Sequence, residues 1–140
     1  MRKTMTKLAG SLAIAGFVAV SLTACGGNAD EKMCDSAKSV FKEYNAVKDP
    51  TALQGDPTKM KEFGDKLVKI AADNSSAESA PGLKATGELM QISAESASAV
   101  KSGDTTKMQE LSTKITELST SAKADIDKLN EKCKIAVDGS

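Results

Sequence analysis

The sequence predicts an all-α protein, an antiparallel up-down-up-down four-helix bundle. From Asp30 onward the apolar residues recur at helical spacing, and no stretch alternates with the period of two that a strand needs. Short polar links join the helical segments, which makes neighbouring helices antiparallel. Two cysteines support this topology, because Cys34 near the start of the first helix and Cys133 near the end of the last fall at the same end of such a bundle.

The first helix is predicted over residues 30–48, with a capping box between Asn28 and Glu31. Its apolar stripe consists of Met33, Ala37, Val40, Phe41, Tyr44 and Val47. The following connector contains Asp49-Pro50 and Asp56-Pro57, two pairs suited to an N-cap followed by a first-turn proline. We expect one short helical turn within this connector.

The second helix is predicted over residues 57–73, with an apolar stripe of Met60, Phe63, Leu67, Ile70 and Ala71. Gly64 lies among these residues and costs about 1 kcal/mol of helix propensity unless a neighbouring helix needs the space. A Ser-rich hinge at residues 74–80 precedes the third helix, predicted over residues 83–102. The charged residues of the third helix share one narrow stripe, so we expect it to be the most buried helix.

The fourth helix is predicted as one long element, residues 105–135, after a tight link at Gly103. Its apolar seam is Met108, Leu111, Ile115, Leu118, Ala122, Ile126, Leu129 and Cys133. Because a helix rises 1.5 Å per residue, it would be about 45 Å long and should overhang its neighbours or bend. The octets that begin at Asp56 and Asp104 are similar, which suggests two duplicated αα-hairpins. The alternative is that any two capped amphipathic helices look alike.

The composition is that of one domain and argues against several classes of function. The 140 residues carry 19 basic and 19 acidic side chains, no His, and a single arginine, Arg2. The chain therefore lacks the imidazole of most acid–base sites and the basic surplus of nucleic-acid-binding proteins. Aromatic residues make up only 3% of the chain, too few for a base-stacking surface. We predict no catalytic residues, no metal site, no cofactor and no nucleic-acid partner.

Residues 1–24 have the three parts of a secretory signal peptide. A basic start with Arg2, Lys3 and Lys7 precedes an uncharged stretch, residues 8–21, rich in Ala, Leu, Ile and Val. This stretch is shorter than the roughly 20 apolar residues that a membrane-spanning helix needs. The pattern therefore predicts a removed leader; the alternative is a retained membrane anchor.

The leader ends in Leu22-Thr23-Ala24-Cys25, followed by two glycines. This segment resembles the lipobox of bacterial lipoproteins, and the whole chain resembles the small helical lipoproteins of Gram-positive bacteria, including actinobacteria. The resemblance implies that a diacylglycerol is attached to Cys25, which becomes the mature N-terminus. It implies a signal peptide at 1–24, a lipidated N-terminus and spacer at 25–29 and a helical domain at 30–140. The alternative is an ordinary thiol near a signal cleavage site.

The mature chain would lie on the outer face of the cell membrane, or in the outer membrane of a cell that has one. In an extracytoplasmic compartment, Cys34 and Cys133 predict a disulfide. The loop it closes holds about 100 residues, for which the chain-entropy model gives about 4.7 kcal/mol of stabilisation. The alternatives are free thiols or a metal site, but no third or fourth soft ligand lies near either cysteine.

The predicted function is that of a membrane-anchored, non-catalytic module whose surface binds a protein or cell-envelope partner. The alternative is a carrier that holds a lipid or another apolar small molecule in a core cavity lined by Phe63, Leu89 and Met90. An exposed apolar patch at the outward end or along the fourth helix would favour the surface module. A core cavity would favour the carrier.

Overall fold

The computed structural model describes residues 28–46 and 49–135, so the predicted signal peptide and Cys25 lie outside the described residues. Over the described ranges the chain forms five α-helices and no strand, which confirms the all-α prediction. The helices are α1 (Asn28–Glu43), α2 (Pro57–Asp73), α3 (Ala80–Ser102), α4 (Thr105–Ser121) and α5 (Lys123–Cys133), with a 3₁₀ turn at Pro50–Leu53. The prediction of a single fourth helix over residues 105–135 is wrong, because this segment is divided into α4 and α5.

The five helices pack as a bundle around α3, which contacts all four others. Its most extensive contact is with α2, while α4 and α5 pack on it in succession and α1 lies against α2 and α5. The largest fully buried side chains are Met33, Phe63, Leu67, Leu83 and Leu129. The central position of α3 agrees with the burial expected from its narrow charged stripe.

Aspartate side chains cap the N-termini of α2 and α4, the first of them as the Asp56-Pro57 pair predicted. The Asp56 carboxylate accepts hydrogen bonds from the backbone N–H groups of Thr58 and Lys59 at 3.1 and 3.2 Å. The Asp104 carboxylate accepts one from the N–H of Lys107 at 3.0 Å. Each cap satisfies donors that have no partner inside the helix, which fixes where the helix begins.

The end of α1 and the start of α3 differ most from the prediction, for local backbone reasons. α1 ends at Glu43 because Asn45 adopts φ 55° and the N–H of Ala46 bonds back to the carbonyl of Phe41 at 2.9 Å, a Schellman ending. α3 begins at Ala80, so Pro81 and Gly82 lie inside its first turn. A first-turn proline is tolerated, since its missing N–H would have no intrahelical partner.

The break between α4 and α5 falls at Ala122, where φ is −92° and ψ is 0°. Neither proline nor glycine is present, but hydroxyls crowd the preceding turns. Thr116, Thr120 and Ser121 donate hydrogen bonds to the carbonyls of Ser112, Thr116 and Leu118 at 3.0, 2.8 and 3.3 Å. Such bonds compete with the helical ladder and bend helices.

Glycines set the closest approaches between helices. A Cβ added at Gly64 in α2 would lie 2.6 Å from the carbonyl oxygen of Gly87 in α3, and one at Gly87 would lie 2.7 Å from that of Gly64. A Cβ at Gly82 would overlap the Asp125 carbonyl oxygen of α5. The space that Gly64 leaves is therefore used by a neighbouring helix, as its position in the apolar stripe of α2 suggested.

Candidate functional site

A pocket of about 360 Å³ lies where the end of α1 meets the first half of α2 and the middle of α3. Its apolar lining consists of Phe41, Ala46, Leu53, Met60, Phe63 and Met90. Gln54 and Ser93 add an amide and a hydroxyl. Gln54 is exposed and Ser93 half-buried, so the polar groups lie where the pocket reaches the surface.

Aromatic contacts hold the pocket wall in place. The Phe41 and Phe63 rings meet edge to face with centroids 5.1 Å apart, and the Tyr44 ring lies 5.3 Å from that of Phe63. The Lys66 ammonium lies 4.9 Å from the Tyr44 ring centroid and 2.6 Å from the Glu43 carboxylate. The hydrogen bond to Glu43 raises the pKa of Lys66, with a smaller contribution from Tyr44. The end of α1 is therefore fastened to α2 beside the pocket.

The pocket agrees in part with the cavity that the sequence predicted. Phe63 and Met90 line it, whereas Leu89 does not. The sequence did not predict that Gln54 and Ser93 line the pocket. Ser93 lies at the start of a Ser- and Ala-rich run that offers no sign of which hydroxyl faces a cavity, and Gln54 lies in the connector, where the sequence carries no periodic signal.

At the other end of α1, Cys34 and Cys133 lie at disulfide-bonding distance. Their sulfurs are 1.96 Å apart and their Cα atoms 5.0 Å apart. The pair joins α1 to α5, and we call this end of the bundle the disulfide end. Of the three cysteines singled out in the sequence, the structure brings these two together, while Cys25 lies outside the described residues.

A buried carboxylate also lies at the disulfide end. Asp30 in α1 accepts hydrogen bonds from the Ser79 N–H at 3.0 Å, from the Ser79 hydroxyl, and from the Glu78 N–H at 3.3 Å. Burial alone would raise the pKa of Asp30, but these hydrogen bonds and the positive charge of Lys132 together lower it. Asp30 thus caps the start of α3 from a different helix, a role that the predicted capping box of the first helix did not anticipate.

No protein-family model, curated protein or solved structure matches the chain. Within the described part of the chain, no group of three or more His, Cys, Asp and Glu side chains is placed to hold a metal ion. None of the described helices is long and apolar enough to cross a membrane.

The outer surface of the described residues is largely polar. Val100 is the one large hydrophobic side chain among them that is exposed, at 58%. α4 buries only Leu111 and packs mainly on α3. The apolar patch that would have favoured a hydrophobic docking surface is therefore not seen on this part of the chain.

Replacing Asp30 by asparagine is expected to lower the free energy of unfolding by about 1–3 kcal/mol near pH 6, the usual cost of losing hydrogen bonds to a charged group. The pKa of Asp30 is lower in the folded than in the unfolded protein. The ionised carboxylate therefore contributes its full stabilisation of the fold at pH values above the unfolded-state pKa of about 3.9. This contribution is lost as the pH falls through the folded-state pKa. Urea unfolding of both proteins from pH 7 to pH 2 should show that the difference between their free energies of unfolding decreases below about pH 4.

Asp35→Asn is the matched control, since Asp35 is an exposed carboxylate on the same helix. It should behave like the wild type within about 0.5 kcal/mol. A stability gap between wild type and Asp30→Asn that does not change with pH would contradict the role given to the carboxylate.

Proposed function

We propose that this protein is a lipid-anchored, extracytoplasmic, non-catalytic binding module. The observation that carries the anchored, extracytoplasmic part of the proposal is the position of Cys25, at the end of the lipobox-like segment and three residues before α1 begins at Asn28. Gly26 and Gly27 are the two residues between Cys25 and Asn28. Two or three acyl chains on one residue give a stable membrane anchor, whereas a single chain gives marginal binding.

We further propose that α4 and α5 together form the fourth arm of an up-down-up-down bundle built from two duplicated hairpins. The neighbour relations support this arrangement, since α1 lies against α2, α2 against α3, α3 against α4 and α5, and α5 against α1. The duplication rests on the similar sequences of the octets that begin at Asp56 and Asp104. Both aspartates cap a helix, as the aspartates of unrelated capped helices also do.

In this arrangement the anchor leaves from the disulfide end, and the turn at Gly103 points away from the membrane. α3 has 23 residues and α2 has 17, so the α3–α4 turn extends beyond the start of α2. A protein or cell-envelope partner would meet this end first. Its exposed side chains are mostly polar, which favours recognition through hydrogen bonds and charges.

The anchor is tested by metabolic labelling of the full-length chain with a palmitate analogue in a bacterial host. Wild type should be labelled and recovered with membranes, and Cys25→Ala should lose both properties because the acylated thiol is gone. Cys133→Ala is the matched control and should retain the label. Labelling of Cys25→Ala equal to that of wild type would overturn the proposed anchor.

The second candidate function is a carrier of an apolar small molecule. The specific observation in its favour is the pocket beside Phe41, Phe63 and Met90, whose volume of about 360 Å³ falls within the range of ligand sites. Both candidates place the anchor at Cys25. They differ in whether the functional contact is made on the surface or inside the pocket.

A further inference from the structure

The size of the pocket is that of a small-molecule site. Ligand pockets measure roughly 300–1,000 Å³, and an engineered apolar cavity of about 150 Å³ already binds benzene. At about 360 Å³, this pocket has room for a compound larger than a single aromatic ring. The Met60 and Met90 side chains are flexible and polarizable, which allows the lining to adapt to an occupant.

The lining also defines the chemistry of the occupant. No charged side chain from the described residues lines the pocket. Against these described residues an ionised ligand would lose hydration without gaining an opposite charge from them, which is costly. The aromatic and thioether groups favour an apolar body, while the Ser93 hydroxyl and the Gln54 amide each offer hydrogen bonds at the rim.

The pocket and the proposed membrane anchor lie at opposite ends of α1. Phe41 lies 13 residues after the start of α1 at Asn28, which is about 20 Å along the helix. The proposed anchor leaves from the start of α1. A ligand would therefore bind about 20 Å along α1 from the anchored end of the bundle.

We propose that the pocket between the end of α1, the 3₁₀ turn, α2 and α3 binds an uncharged, largely apolar small molecule with one hydrogen-bonding group. This inference rests on the second candidate function and names its ligand class. Phe41 and Phe63 pack against the apolar body, and Ser93 or Gln54 bonds the single polar group.

The test uses two fluorescent probes with the same ring skeleton. N-phenyl-1-naphthylamine is neutral and carries one N–H, whereas 1-anilinonaphthalene-8-sulfonate adds a negative charge. The protein is the oxidised chain from Gly26 to Ser140, which keeps every buried residue of the described core. Circular dichroism and thermal unfolding establish that each variant is folded.

Two substitutions are designed to block the pocket from opposite rims. Ser93→Leu fills the pocket from α3, and Gln54→Phe fills it from the end of the 3₁₀ turn. Gln54 is exposed, so Gln54→Phe remains a usable test if Ser93→Leu does not fold. Ser98→Leu is the matched control, since it makes the same change at an exposed site five residues further along α3 and outside the lining.

We expect the neutral probe to bind wild type and Ser98→Leu saturably with one site per chain, and at least tenfold more weakly to the blocking variants. The sulfonate should bind wild type at least tenfold more weakly than the amine. The proposal is overturned by non-saturable binding of the amine, by blocking variants that bind like wild type, or by equal affinity for the sulfonate. The proteins in this binding test carry no acyl group. A negative result here therefore overturns only the proposed ligand site, and the labelling of Cys25 tests the anchor separately.

Discussion

Reduction of the Cys34–Cys133 bond is expected to lower the free energy of unfolding by about 2–5 kcal/mol, the cost typical of losing a disulfide from a small secreted domain. The two cysteines are 99 residues apart, so the bond constrains most of the unfolded chain. Because small domains are stable by only about 5–15 kcal/mol, this is a large share of the total. Urea unfolding with and without dithiothreitol measures the difference.

The double variant Cys34→Ser with Cys133→Ser is the control for side effects of the reductant. Its stability should match that of the reduced wild type and should not respond to dithiothreitol. Equal unfolding midpoints for oxidised and reduced wild type would contradict the stabilising role of the bond.

Alanine at Gly64 or Gly87 is expected to destabilise the bundle by about 1–3 kcal/mol, as overpacking does in other cores. Inside a helix, glycine to alanine normally gains about 0.5–1 kcal/mol, so the expected effect has the opposite sign. The reason is that each new Cβ would meet a backbone carbonyl of the partner helix at 2.6 or 2.7 Å, and backbone cannot move aside as a flexible side chain can. α2 and α3 must then separate.

Thermal and urea unfolding of the single variants and the double variant measure this effect. The double variant should lose less than the sum of the single losses, because both substitutions open the same contact. Gly55→Ala serves as the control, since a Cβ at Gly55 would meet nothing within 4 Å. A Gly87→Ala protein more stable than wild type would show that the helices do not approach as closely as described.

Local signals in the sequence predicted the elements that depend on local contacts. The Asp-Pro pair at Asp56 predicted the start of α2. The apolar stripe of this helix predicted the buried residues Met60, Phe63 and Leu67. The break at Ala122 was not predictable in this way. It arises where several hydroxyl-to-carbonyl bonds accumulate, and each of these is also common in helices that continue.

The candidate sites also differ in whether the sequence could predict them. The cysteine pair was predicted from an even number of cysteines in an extracytoplasmic compartment, and the structure places Cys34 and Cys133 at disulfide-bonding distance. The bond from Asp30 to Ser79 and the lining by Gln54 and Ser93 depend on how helices rotate and pack against one another. A single sequence carries no periodicity that reports such long-range pairings, so these residues emerged only from the structure.

The covalent link between α1 and α5 also determines what a protease can release. The connector at residues 49–56 and the hinge at residues 74–79 both fall between Cys34 and Cys133. A single cleavage in either one leaves the two fragments joined through sulfur. A cut before Cys34 therefore separates the disulfide-linked helices from the N-terminal segment. A cut within the loop releases only the part of the chain after it, and only once the bond is reduced.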